Sequence, residues 1–155
     1  MSREKRHWLM KSEPSVFSIE DLRRSPQQSA GWDGVRNYQA RNFMKSMAVG
    51  DEVLYYHSNA DPSGIAGLAE VVKTAYPDPT QFDSKNGHYD AKATKGKPIW
   101  FQVDVRFVKA FPELLSLEDL RGLPALKNMA LFKYSRLSIQ PVTKAERDII
   151  LKTAG

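Results

Sequence analysis

Apolar residues recur along this chain at two periods, and the switches between them divide it into short elements. His7-Trp8-Leu9-Met10-Lys11 is an apolar run closed by Pro14 and predicts an opening strand. Ser18-Ile19-Glu20-Asp21-Leu22-Arg23-Arg24 places a hydroxyl at the N-cap and acid in the first turn, the chemistry of a short helix start. From Asn37, the apolar residues Ala40, Phe43, Met44 and Met47 recur at helical spacing, with Asn37 as cap. Gly50-Asp51 turns the chain into Val53-Leu54-Tyr55-Tyr56-His57, whose aromatic and branched residues predict a strand. Ile65 to Val72 predicts another, and its small residues Ala66, Gly67 and Ala69 call for close approach of a backbone or a ligand.

Residues 74–98 carry Pro77, Pro79, Gly87, Gly96 and Pro98 with little periodicity, which predicts a long, functional loop. Trp100 to Phe107 alternates, with Val103, Val105 and Phe107 on one side and Gln102, Asp104 and Arg106 on the other, the pattern of a half-buried strand. Ser116-Leu117-Glu118-Asp119-Leu120-Arg121 repeats the helix-start chemistry of the Ser18 segment. Arg136-Leu137-Ser138-Ile139-Gln140 predicts a last strand ended by Pro141, and Thr143-Lys144-Ala145-Glu146 is a capping box opening a helix that ends near Gly155. No βαβ rhythm is present. The expectation is a single α+β domain over residues 1–155: a curved, mainly antiparallel sheet or partial β-barrel flanked by short helices.

Composition narrows the chemistry. A formal charge of +5 favours anionic partners, nucleic acid first among them. The absence of cysteine excludes disulfides, thiolate metal sites and cysteine nucleophiles. The polar, basic start Ser2-Arg3-Glu4-Lys5-Arg6 is unlike a signal peptide, and no apolar run approaches the roughly 20 residues of a membrane helix. The expectation is a soluble cytoplasmic protein, free or nucleoid-associated, with no cofactor and a monomeric state favoured. Phosphate-cradling, dinucleotide and nucleophile-elbow motifs are all missing. His7, His57 and His88 lie far apart in sequence with no metal-ligand spacing. His57 beside Ser58 or Ser12 is the one candidate general base, against a structural role next to the tyrosines. No catalytic residue is assigned.

Gly31-Trp32-Asp33-Gly34-Val35-Arg36-Asn37-Tyr38 sets a tryptophan and a tyrosine in a glycine-bearing loop that runs into a helix start, where backbone N–H groups are free. Arginine and asparagine add hydrogen bonds suited to phosphates and base edges. Two readings stand open from the residues alone: Trp32 stacks on a ligand, or it plugs the core beneath the loop.

Trp8 to Pro14 and Trp32 to Met44, followed by Tyr56-His57-Ser58-Asn59, Gly64 to Val72, Tyr76-Pro77-Asp78 with Gln81-Phe82-Asp83, and Arg136 to Val142, resemble in order the signature blocks of EVE domains. The resemblance runs from about residue 7 to the end. It implies a PUA-like fold related to the YTH readers of methylated adenine, and a pocket that holds one flipped, modified base, such as a modified cytosine in DNA. On that likeness Trp32 stacks on the base, and Tyr38, Tyr56 or Trp100 supplies a second aromatic wall. Lys11, Ser12, Asn37, Ser58 and Asn59 address the base edge, and Arg36, Arg41 and Arg136 hold flanking phosphates. Each has a plainer role beside it: Asn37 as a helix cap, Ser58-Asn59 as a strand-ending turn, Glu13 as a local partner, Arg136 in an ion pair with an acid such as Glu70. The rival functions are a reader of modified transfer or ribosomal RNA, a nucleoside hydrolase with His57 and a carboxylate together in the pocket, and a protein-interaction module.

Overall fold

The computed structural model describes residues 5–154; Ser2, Arg3 and Glu4 of the charged opening run and Gly155 lie outside the described residues. Its centre is one six-stranded sheet in the order β2-β5-β4-β3-β1-β6, built from β1 (His7–Ser12), β2 (Ser29–Gly31), β3 (Glu52–His57), β4 (Gly64–Pro77), β5 (Phe101–Ser116) and β6 (Ile139–Val142). The β1–β6, β2–β5, β3–β4 and β4–β5 pairs are antiparallel, as expected for most of the sheet, but β1 and β3 run parallel. That pair requires a crossover, and it is made by α1 (Pro14–Phe17), α2 (Ile19–Arg24), β2 and α3 (Tyr38–Ser46). Its helices are short and interrupted by a strand, so no regular βαβ rhythm marks it in the sequence.

The central strands are buried on both faces, which is why they read as unbroken apolar runs. Trp8, Met10, Val53 and Tyr55 enter one core with α2 and α3; Leu9, Leu54 and Tyr56 enter the other with α4 (Leu117–Arg121), α5 (Ala130–Lys133) and α6 (Lys144–Ala154). The predicted caps are formed. Ser18 and Ser116 each make a complete capping box, Asn37 accepts from the Ala40 N–H at 2.9 Å, and Thr143 and Glu146 exchange hydrogen bonds of 3.0 and 3.1 Å. The close approach expected from the small residues of β4 is made at Gly67, where a Cβ would collide with the Lys109 carbonyl and the Ile19 side chain.

Three strands are bounded differently from expectation, and β6 starts at Ile139 rather than Arg136. β4 continues to Pro77 against β5, so the long loop begins later than residue 74. β5 extends past Phe107 to Ser116, with irregularities in its register against β4 that break the alternation beyond residue 107. β6 passes through Pro141 rather than ending there, because it is an edge strand and a missing N–H is tolerated on an edge. α1, β2 and α5, with four, three and four residues, are too short to carry a readable period.

β2 and β6 are the two opposite edges of the sheet. Yet Ala30 and Gly31 of β2 and Ser138, just before β6, line a single cavity, so the sheet curls until its edges face each other across that space.

Candidate nucleic-acid interface

The cavity between the sheet edges has a volume of about 610 Å³, within the range of small-molecule sites. The end of β1 contributes Lys11, Ser12 and Glu13; α1 contributes Val16 and Phe17; the loop after β2 contributes Trp32 to Arg36; His88 and Ser138 complete the lining.

The Trp32–Arg36 loop is bolted in place. The Trp32 N–H donates to the Val103 carbonyl at 2.8 Å, extending the β2–β5 pairing. Asp78, fully buried, accepts from the Gly34 N–H at 2.8 Å, from the Arg36 guanidinium at 3.1 Å, and from the Thr80 N–H and hydroxyl at 2.8 and 2.6 Å. Burial alone pushes this carboxyl up, but the hydrogen bonds from Thr80, Gly34 and Arg36 outweigh it and hold it below the usual carboxylate range. Arg36 also donates to the His88 carbonyl at 3.0 and 2.6 Å, tying the 83–97 loop to the cavity wall. Gly34 has φ +78, and a Cβ there would lie 2.9 Å from the His88 ring, so both backbone and space exclude a side chain. The buried amide of Gln81 closes the long loop at its base, donating to the Asp78 and Trp100 carbonyls and accepting from the Ile99 and Trp100 N–H groups.

Trp32 belongs to the core beneath the loop and also borders the cavity. Its ring is 9% exposed and packs at 5.1 Å, nearly perpendicular, on Tyr55, while its remaining surface lines the cavity. The Tyr55 and Ser12 hydroxyls both donate to the Phe17 carbonyl at 2.7 Å, fixing α1 as the neighbouring wall.

Of the residues singled out in the sequence, Trp32, Lys11, Ser12 and Arg36 line the cavity. Lys11 donates from Nζ to the Ser135 carbonyl at 2.7 Å, and burial lowers its pKa. Tyr56 faces the opposite core, because neighbouring residues of a strand point to opposite faces; Tyr55 is the tyrosine that reaches Trp32. Trp100 and Tyr38 stack on each other at 4.8 Å, with Arg36 at 5.4 Å from the Trp100 ring and Arg41 at 4.9 Å from the Tyr38 ring. This ring pair lies outside the cavity lining. Asn37 caps α3. Ser58 donates its N–H to the Ser12 carbonyl, and Asn59, at φ 48, donates from its side chain to Glu13, so that turn buttresses the cavity from behind β1. Arg41 is bound to the Ile99 carbonyl and Asn42. Arg136 is exposed and has no ion pair among the described residues; Glu70 pairs with Arg106 instead. His57 accepts from the Ile19 N–H at 3.1 Å and does not line the cavity, so the carboxylates there have no histidine base from β3 beside them.

Three polar residues of the lining have no role assigned from the sequence, Asp33, His88 and Ser138, and a fourth, Glu13, is read there only as a local partner. Asp33 follows the tryptophan directly in the signature block, which was the available signal; nothing local marks His88 or Ser138. Burial and the neighbouring Asp78 carboxylate raise the Asp33 pKa against the pull of His88, its own backbone N–H and Arg36. Among the described residues no group of three or more His, Asp or Glu side chains is placed to hold a metal, and no helix is long and apolar enough to cross a membrane.

The EVE domain model matches residues 6–153. The chain belongs to the EVE domain family. This EVE chain is 49% identical over 163 residues to thymocyte nuclear protein 1 of Homo sapiens, spanning 94% of the chain and 72% of that protein. It is similar to the solved structure of human THYN1 protein in complex with 5-methylcytosine containing DNA, with a TM-score of 0.91 and 48% identity over 97% of this chain and 98% of that one. The YTH domain of Zygosaccharomyces rouxii MRB1 protein, solved in complex with N6-methyladenosine RNA, matches with a TM-score of 0.55 and 16% identity over 97% of this chain and 87% of that one, a likeness of fold. The PUA-like architecture expected from the signature blocks is the one present.

Proposed function

We propose that this EVE chain is a non-catalytic reader of nucleic acid that takes one extruded, modified base, a modified cytosine in DNA, into the cavity beside Trp32. The observation that carries the reading is the cavity itself: preformed, walled by Trp32, Phe17, Val16 and Val35, and lined with polar groups at the meeting of the two sheet edges. The DNA in the human THYN1 complex supports the choice of base.

Extruding a base from a duplex costs a few kcal/mol, and stacking on an aromatic ring returns about 1–3 kcal/mol. Stacking on Trp32 therefore does no more than offset the flip. Net affinity and base choice come from hydrogen bonds to the base edge, for which Ser12, Asp33, His88 and Ser138 are in place. Arg36 holds the loop rather than a phosphate, since its guanidinium already serves Asp78, Thr80 and two carbonyls. The phosphate contacts fall to Arg136 and to Lys85, Lys92, Lys95 and Lys97 on the loop that carries His88, all exposed and without ion pairs among the described residues. The protein's place in the cell follows that of its nucleic acid.

The test is a binding panel of matched DNA and RNA oligonucleotides, with and without 5-methylcytosine, at stated salt. The parent binds the modified DNA most tightly. Trp32→Phe retains part of that preference and Trp32→Ala loses it while keeping the salt-dependent background. Unfolding curves on each variant are needed, because truncating a buried tryptophan costs about 3–5 kcal/mol. Folded Trp32→Ala protein that binds the modified strand as the parent does refutes the pocket, and a preference for RNA moves the reading to the RNA class.

A further inference from the structure

The polar groups of the cavity differ in what they are free to do. The Ser12 hydroxyl donates its proton to the Phe17 carbonyl, Lys11 Nζ is held by the Ser135 carbonyl, and Arg36 is occupied on all sides. Glu13 is tied to Asn59. Four side chains in the lining have no hydrogen-bond partner among other described side chains or backbones: Trp32 at its indole N–H, Asp33, His88 and Ser138. Ser138 offers a hydroxyl that serves either as donor or acceptor, and the His88 ring does the same through its two nitrogens. Only Asp33, when ionised, is an acceptor alone. It is also the residue next to Trp32, in a loop whose backbone Asp78 fixes at Gly34, so its carboxylate projects from a backbone held beside the Trp32 ring.

We propose that Asp33 selects the base in this pocket, accepting a hydrogen bond from the exocyclic amine of an aminopyrimidine and rejecting a base that presents a carbonyl there. The inference rests on the cavity being a base pocket, and it adds which edge of the base is read and by what. A carboxylate is the natural acceptor for the cytosine 4-amino group. The 4-carbonyl of thymine or uracil in the same position brings two acceptors together, and the Arg36 guanidinium, whose five donors are all engaged, is not free to mediate.

Thymine makes the comparison clean, because it shares the 5-methyl group of 5-methylcytosine and differs on the 3,4 edge. The experiment measures affinities for single-stranded oligonucleotides, identical apart from one 5-methylcytosine or thymine, so that no duplex has to be opened. The parent favours 5-methylcytosine on the order of 10- to 100-fold. Asp33→Asn keeps its affinity for 5-methylcytosine within a few-fold but binds thymine nearly as well, because a carboxamide carries both donor and acceptor and can turn to suit either base. Asp33→Ala weakens 5-methylcytosine binding towards the thymine level. Urea unfolding of each variant confirms that the fold is intact. A parent-like ratio in Asp33→Asn, or a parent that binds both strands equally, overturns the role of Asp33 while leaving the base pocket standing. A folded parent that binds neither DNA nor RNA overturns the reader itself.

Discussion

Removing the Asp78 carboxylate tests whether the cavity wall is preorganised by one buried charge. Asp78 is fully buried and satisfies Gly34, Arg36 and both donors of Thr80. Asp78→Ala strands the Gly34 N–H and leaves the partly buried Arg36 without its counter-charge. Removing one partner of such a pair costs about 3–5 kcal/mol. Asp78→Asn keeps the volume and one acceptor but loses the charge, and should cost about 1.5–3 kcal/mol, the worth of a charge-assisted hydrogen bond. A typical native stability of about 5–15 kcal/mol leaves both variants largely folded. Urea unfolding reads the change as a shift of midpoint at constant m. A double-mutant cycle with Arg36→Ala should show coupling on the order of 0.5–3 kcal/mol. Because the loop bearing Trp32 is what the pair holds, base-dependent binding should fall further than the salt-dependent background. The folded pKa of Asp78 lies below the ordinary aspartate value of 3.8, so its stabilisation is present above that value and is lost as pH falls through the folded pKa. Asp78→Asn should remove that acid-dependent loss. An Asp78→Ala protein within about 1 kcal/mol of the parent, or strictly additive with Arg36→Ala, refutes the latch.

Asp33 should show the opposite pH dependence. Its folded pKa is raised above 3.8, so its favourable contribution is present at lower pH and is lost as pH rises through the folded value; Asp33→Asn should gain on the parent across that window and hold the gain at neutral pH, as read by urea midpoints. Asn37→Ala should cost about 0.5–2 kcal/mol through loss of the α3 cap, yet leave base preference unchanged, because the amide oxygen serves the Ala40 N–H; a lost preference would put Asn37 in the pocket. Replacing Lys85, Lys92, Lys95 and Lys97 together by glutamine should flatten the dependence of log K on log salt by up to about 0.9 per lysine that meets a phosphate on a duplex, with the ratio between modified and unmodified strands preserved. An unchanged slope would place the strand elsewhere.

The features that hold the cavity together are contacts between distant parts of the chain: Asp78 reaches Gly34 and Arg36, His88 packs on Gly34, and Lys11 reaches Ser135. Each loop at the site is fixed by another loop, and the long 83–97 segment is closed by Gln81 and by Asp90 accepting from the Trp100 indole at 2.8 Å. A base entering such a site meets walls already in position, and affinity is not drained by ordering them.

What the sequence determined by itself was whatever depends on near neighbours. The caps at Ser18, Asn37, Ser116 and Thr143 form because side chain and backbone partner are three residues apart. The apolar run of β3 is legible because burial on both faces needs only local composition, and the signature blocks around Trp8 and Trp32 carried the family. Tertiary structure alone decided which residues share the cavity. Tyr55 and Tyr56 are adjacent and equally aromatic, and strand geometry sends one to Trp32 and the other to the opposite core. Trp100 and Tyr38 look like base platforms in the sequence, but they pack on each other, with two arginines alongside, away from the cavity lining. Asp33, His88 and Ser138 meet only because a sheet with edges at β2 and β6 curls until those edges face each other. Hydrogen bonds between neighbours in sequence can be read from spacing, whereas the curvature that closes a cavity is a property of the whole sheet.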